Sequence, residues 1–250
     1  MLTNYVKRYS PALGRDMEYK TYGDKGKAVL VFPSQNGRFF DYENMGMVDS
    51  IADYIESGKI RLVCVDSIDG ETWSNAGGDP RWRIEQHERW FHHVIDEVIP
   101  EQRRDGETFM VTGCSMGGYH AGNFFFRRPD IFDTLISLSG LYHASFFFGD
   151  YSDELVYNNS PLDFLTWMPD DHYYLDIYRS RRIICCVGRA TGKPTSLTRP
   201  AASTPSCPGR TCRIGPTTGA GMSHTTGHGG ESRLPIFSGR WSDKGCLAMT

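Results

Sequence analysis

The chain has 250 residues, enough for one sizeable α/β core, and its 39% hydrophobic and 13% aromatic content excludes a disordered polymer. A formal net charge of −3 without a dominant block of either sign gives no reason to expect nucleic acid or an anionic membrane as partner. No apolar run approaches the roughly 20 residues of a bilayer span either.

Two strand-like stretches, Tyr5–Tyr9 and Met17–Tyr22, come first and are expected to form an antiparallel edge. AVLVFP (Ala28–Pro33), RLVCVD (Arg61–Asp66), TFMVTG (Thr108–Gly113), LISLSG (Leu135–Gly140) and RIICCVG (Arg182–Gly188) follow as short apolar runs that stop at Gly, Pro or Asp. Runs of this kind are what parallel strands buried on both faces look like. Between them, Met45–Glu56, Pro80–Val98 and Met116–Phe126 read as helices. In the second, Asp79 can cap, Pro80 suits the first turn, and Trp90, Phe91, Val94, Ile95 and Val98 form an apolar stripe. This alternation predicts a doubly wound α/β sheet, mostly parallel, with helices on both faces.

After Gly188 the character changes. From Arg189 to Gly230 there is no Asp, no Glu and no aromatic residue, and Pro and Gly recur too often for a long helix. Such a segment buries too little apolar area to offset backbone ordering at about 1–2 kcal/mol per residue. The expectation is an incomplete domain over residues 1–188 and a disordered or poorly packed tail over 189–250.

The amino terminus, MLTNYVKRYSPALGRD, lacks the apolar core of a secretory signal. Of the seven cysteines, Cys64, Cys114, Cys185 and Cys186 sit inside apolar runs and read as buried thiols in a reducing compartment, so the expected location is the cytoplasm.

Gly113-Cys114-Ser115-Met116-Gly117 spells G-x-S-x-G between a strand and a helix. On a tight strand-to-helix turn a serine hydroxyl stands clear of the backbone, and the first helical N–H groups face the oxyanion that develops on attack. Ser115 is therefore the candidate nucleophile, and Cys114 beside it reads as a small buried residue. A second oxyanion donor should come from the loop after an earlier strand, where Ser34-Gln35-Asn36-Gly37 follows Phe32-Pro33. The Gln35 backbone N–H is the candidate, against an ordinary polar turn.

VTGCSMGGYHAGNFFFRRPDIFDTLISLSGLY (Val111–Tyr142), with VFPSQNGRFFDYENMGM (Val31–Met47) and NNSPLDFL (Asn158–Leu165), resembles the putative esterase family. This is the α/β-hydrolase branch that includes esterase D-like enzymes and mycolyltransferases, and the resemblance covers about residues 1–188. It implies a serine hydrolase or acyltransferase acting on small-molecule carboxylic esters, with no metal or organic cofactor. It also implies Ser115 as nucleophile, with the Met116 and Gln35 N–H groups as oxyanion donors. The family's acid, after the strand at Arg182–Gly188, and its histidine, in a segment resembling HDWPWW, have no counterpart. No acidic residue lies between Asp176 and Glu231. Carboxyl-terminal parts of the fold are thus expected to be missing, the sheet to end in an exposed edge, and ester turnover to be lost or severely impaired. A non-catalytic relative that binds esters or acyl groups is the alternative.

Back-translation supplies a reason. Reading the third base of each codon with the first two of the next, Ala220 to Phe237, closed by Ser238, permits W-D-V-T-H-D-W-P-W-W-R-K-Q-I-A-Y-F-L. The same offset over Gly188–Thr195 and into Ser196 permits Q-G-D-W-E-A-D-E. One frame change near Gly188 would account for both strings.

The remaining histidines offer no obvious replacement base. His87, His92 and His93 fall on the Pro80–Val98 helix and read as structural, while His120 is expected to point away from Ser115. His143 and His172 could line the pocket, and His224 and His228 fall in the tail. Cys207, Cys212, His224 and His228 have the spacing of a two-cysteine, two-histidine zinc site. However, RIGPTTGAGMS (Arg213–Ser223) lacks a finger's apolar core, so no metal is expected. Phe124–Phe126 and Phe146–Phe148 read as core and pocket wall.

Overall fold

The computed structural model describes residues 1–186 and, beyond them, five short strands. Strands β1 (Thr3–Ser10) and β2 (Arg15–Tyr22) form the expected antiparallel hairpin. β3 (Lys27–Phe32), β4 (Ile60–Val65), β5 (Phe109–Cys114), β6 (Phe132–Leu138) and β7 (Arg182–Cys186) are parallel to one another. The sheet runs β1-β2-β4-β3-β5-β6-β7, and β2 lies antiparallel to β4.

Alternate residues of β3 show why both faces are covered. Ala28, Leu30 and Phe32 pack into one cluster with Trp90, Phe91, Val94 and Phe124, while Val29 and Val31 join Val48, Ile55 and Leu62 in another. A strand apolar at each position from Ala28 to Phe32 can do this only between two layers.

The first covering stretch departs from expectation. The single helix expected at Met45–Glu56 is three short turns, α1 (Asp41–Asn44), α2 (Met47–Ser50) and α3 (Ala52–Glu56). Gly46 takes φ 71° between the first two, a left-handed conformation that ends one turn before the next begins.

The stretch at Pro80–Val98 is helical throughout but not uniformly α. α4 (Pro80–His92), capped by the Asp79 carboxylate on the Trp82 N–H at 2.7 Å, widens into a π-helical segment, His93–Val98, before α5 (Ile99–Gln102). Pro100 lacks an N–H and its ring crowds the carbonyl four residues earlier, which accounts for a wider turn just before it. α6 (Met116–Arg127) follows β5, and α7 (Ser145–Phe148), α8 (Glu154–Asn158), α9 (Pro161–Thr166) and α10 (Tyr174–Arg179) lie between β6 and β7.

β7 does not end the sheet. β12 (Cys246–Met249) pairs antiparallel with it, Cys246 opposite Cys186 and Met249 opposite Ile183, and β11 (Arg240–Trp241) pairs with β12. The expected exposed edge is thus corrected: the apolar segment CLAM supplies the ladder partners that β7 would otherwise lack. β8 (Arg210–Cys212), β9 (His224–Thr226) and β10 (Glu231–Ser232) form a separate small antiparallel sheet. The rest of the 189–250 tail lies outside the described residues.

At the opposite border β1 keeps most of its side chains exposed, with Lys7 paired to Asp16 and Arg8 to Glu101. Because β3 to β6 run the same way, the loops after them meet at one edge, where α/β folds place their sites.

Candidate active site

Ser115 occupies the turn between β5 and α6 at φ 57° and ψ −117°, a strained conformation for a residue with a Cβ. The flanking glycines explain how the turn fits. A Cβ on Gly113 would lie 2.3 Å from the Gly117 carbonyl carbon, and one on Gly117 would lie 2.5 Å from the Phe32 and Pro33 carbonyl oxygens. Strand, turn and β3 therefore touch through backbone alone.

The Ser115 N–H donates to the Leu138 carbonyl at 2.8 Å and its carbonyl accepts from the Tyr119 N–H at 3.1 Å, so the main chain is fixed. The residue is exposed, and among the described residues nothing hydrogen-bonds to its hydroxyl. Cys114, expected to be buried, is exposed beside it: as the last residue of β5 it points out at the sheet edge instead of into a layer. Cys64 is buried as expected, Cys185 is partly buried, and Cys186 is disulfide-bonded rather than a free thiol.

At the start of α6, the N–H groups of Met116, Gly117 and Gly118 have no acceptor within the helix, and the helix dipole adds partial positive charge there. The turn after β3 faces the same edge. Its Ser34 N–H donates to Asp41 at 3.2 Å, its Asn36 N–H to Asp69 at 3.3 Å, and its Gly37 N–H to the Ser34 carbonyl at 2.8 Å. Gln35 is the one residue of this turn whose N–H has no acceptor among the described residues. Its side chain is held by Ser74 at 2.8 Å.

The loop after β4 braces this turn. Arg38 binds both oxygens of Asp66, at 2.7 and 2.9 Å, and the Ser67 hydroxyl donates to the Gly37 carbonyl. Burial pushes the Asp66 carboxyl above its ordinary range despite Arg38. Asp69 is the hinge of the arrangement. Buried to 2% exposure, it holds the Asn36 N–H with one oxygen and His120 Nε2, at 2.9 Å, with the other. Nothing in the sequence singled out Asp69.

The histidines divide by surroundings. His120 is fully buried on Asp69 and makes no bond to Ser115. His87, also fully buried, accepts from Trp73 Nε1 at 2.9 Å and donates Nε2–H to Asn159 Oδ1 at 3.1 Å; burial holds its pKa well below the ordinary value, so the ring is neutral. The Asn159 oxygen also accepts from Asn123 and Arg127, both at 2.7 Å, and its amide nitrogen donates to Glu88. This knot ties α4 and α6 to the chain between β6 and β7.

His92 and His93 bind Asp96 and Glu97, each at 2.7 Å. His172 accepts from the Tyr174 N–H at 3.1 Å. His143, half-exposed, lies between Ser145 and Asp163. His224 is in β9 opposite Cys212, while Cys207 and His228 lie outside the described residues. Of the expected aromatic wall, Phe124, Phe125, Phe126 and Phe148 are buried, but Phe146 is 64% exposed because α7 turns it outward.

Comparison with protein-family models finds no match, and comparison with curated proteins finds none. Solved structures do match. A ferulic acid esterase superposes with a TM-score of 0.54 at 16% identity, covering 72% of this chain and 76% of the other. The substrate-bound fluorophosphonate-binding serine hydrolase F (FphF) of Staphylococcus aureus superposes with a TM-score of 0.54 at 15% identity, covering 75% and 79%. The chain shares with these structures an α/β-hydrolase-type fold, a mostly parallel sheet covered by helices. In this fold the strand-to-helix turn at Ser115 lies at the edge where the loops after β3, β4 and β6 converge. Among the described residues no helix is long and apolar enough to cross a membrane.

Proposed function

We propose that Ser115 is the attacking oxygen of a carboxylic-ester site, that the Met116 and Gln35 N–H groups receive the oxyanion, and that turnover there is severely impaired. The strained, exposed Ser115 turn carries the first part of this reading, since such geometry costs stability and presents the hydroxyl to solvent. Two N–H groups without acceptors, one from each loop, support the second.

In an intact site Ser115 Oγ would bond to the ester carbonyl carbon while a base takes its proton. The alcohol would leave, and water or an acceptor alcohol would then release the acyl group. Among the described residues neither His87 nor His120 is free to serve, because both rings are buried in other bonds. A missing general base costs on the order of 10²–10⁴ in rate.

The test is turnover of short p-nitrophenyl esters by the full chain beside Ser115→Ala. Rates within about tenfold of each other are expected; turnover that falls by several powers of ten in the variant would overturn the impairment.

A second reading, an ester- or acyl-binding protein without turnover, is favoured by the same unbonded hydroxyl next to an intact donor face. A fluorophosphonate probe separates the two. Labelling at Ser115 marks residual nucleophilicity, whereas silence with saturable ester binding marks a binding protein.

A further inference from the structure

The segment after β6 carries a serine, a histidine and an aspartate that the Ser115 site does not use. Ser145 Oγ lies 2.6 Å from His143 Nδ1, and His143 Nε2 lies 3.2 Å from Asp163 Oδ1. Asp163 accepts, so the neutral ring carries its proton on Nε2 and leaves Nδ1 to accept from the Ser145 hydroxyl.

The scaffold fixes all three groups. The Ala144 N–H donates to Ser160 Oγ at 2.9 Å, the Leu162 N–H to the Tyr142 carbonyl at 2.9 Å, and the Asp163 N–H to the Ser160 carbonyl at 2.9 Å. The Ser145 N–H also points at Nδ1, at 3.3 Å, which steadies the ring. Ser145 is exposed, and the His143 and Asp163 side chains are 40% and 35% exposed, so a reagent can reach the hydroxyl.

We propose that Ser145, with His143 as base and Asp163 positioning the ring, is a second nucleophile that takes the acyl group of activated aryl esters. Its oxygen bonds to the carbonyl carbon of p-nitrophenyl acetate as the carbonyl electron pair moves to oxygen, and its proton passes to His143 Nδ1. Collapse breaks the carbon–oxygen bond to the phenol, p-nitrophenolate leaves with the bonding pair, and His143 returns the proton to solvent. The products are O-acetyl-Ser145, p-nitrophenolate and a proton released to solvent.

Burial opposes ionisation of Asp163, but its hydrogen bonds with His143 and Ser160 outweigh that and keep its carboxyl below the ordinary range. A carboxylate is therefore present to orient the imidazole.

The experiment uses the full chain carrying Ser115→Ala, so that its failure says nothing about Ser115. The protein is treated with p-nitrophenyl acetate, and acetylated peptides are mapped by mass spectrometry against time. Acetyl is expected on Ser145, absent in the added Ser145→Ala variant, and formed about 100-fold more slowly with His143→Gln. Asp163→Asn should slow it less and displace its pH profile, which a merely structural aspartate would not do. Absence of acetyl from Ser145, or a rate indifferent to His143→Gln, overturns the proposal. Ser145 is exposed and His143 half-exposed, and circular dichroism of each variant checks that the fold is kept.

Discussion

At Ser115 the backbone is held left-handed, the flanking glycines allow no side chain, and two N–H groups face the same edge, yet the hydroxyl has no base among the described residues. At Ser145 the backbone is an ordinary helix start and the hydroxyl meets an imidazole at 2.6 Å backed by a carboxylate. On the proposed reading, one serine supplies the geometry to receive an oxyanion and the other the groups that move a proton. A complete site of this chemistry needs both at one atom, which is why neither is expected to rival an intact esterase.

The contrast can be broken most forcefully at the glycines. Gly117→Val places atoms against the Phe32 and Pro33 carbonyls, which cannot retreat without moving β3. A loss of about 3 kcal/mol or more is expected from the urea midpoint, with fluorophosphonate labelling of Ser115 abolished. Ser145→Gly, by comparison, should leave the midpoint nearly unchanged.

Asn159→Ala strands His87, Asn123 and Arg127 around an empty acceptor position and should cost about 2–3 kcal/mol by the same measurement. Because α9 follows directly, it should also loosen Asp163 and slow acetylation of Ser145 more than labelling of Ser115.

His87 makes a pH prediction. Its folded pKa lies below the ordinary 6.5, so its contribution is fully present above that value and is lost as pH falls below it, where the unfolded chain takes a proton the native ring refuses. Stability should drop by about 1.4 kcal/mol per pH unit between pH 6 and pH 5, and His87→Gln should flatten the slope.

The smallest effect concerns His143, whose hydrogen bond to the Asp163 carboxylate raises its pKa. Asp163 is the charged group acting on that ring, and Tyr119 and Tyr157 are the other titratable groups that feel Asp163. Ser145 acetylation should rise with pH as His143 loses its proton, and Asp163→Asn should move the midpoint down towards 6.5.

Much of the fold was legible because its signals are local. Five apolar runs marked the parallel strands, and G-x-S-x-G between a strand and a helix marked the turn at Ser115. What escaped was joined across the chain. Asp69 meets His120 over 51 residues, and His87 meets Asn159 over 72, distances at which no periodicity speaks. The breaks at Gly46 and before Pro100 were written in single residues inside stretches otherwise helical in pattern. His143 could be placed in the pocket region from sequence, but its alignment between Ser145 and Asp163 depends on how α7 and α9 fold back on one another. The origin of the 189–250 tail is decided by its coding DNA: an offset frame that fails to encode His-Asp-Trp-Pro-Trp-Trp would remove the frame change.

The outermost strand has a colloidal consequence. Two molecules meeting flank to flank along β1 would have to strip water from Lys7 and Arg8 before their main chains could zip together, and would give up the pairings with Asp16 and Glu101. Crowded solutions of this protein should therefore resist ribbon-like stacking from that side.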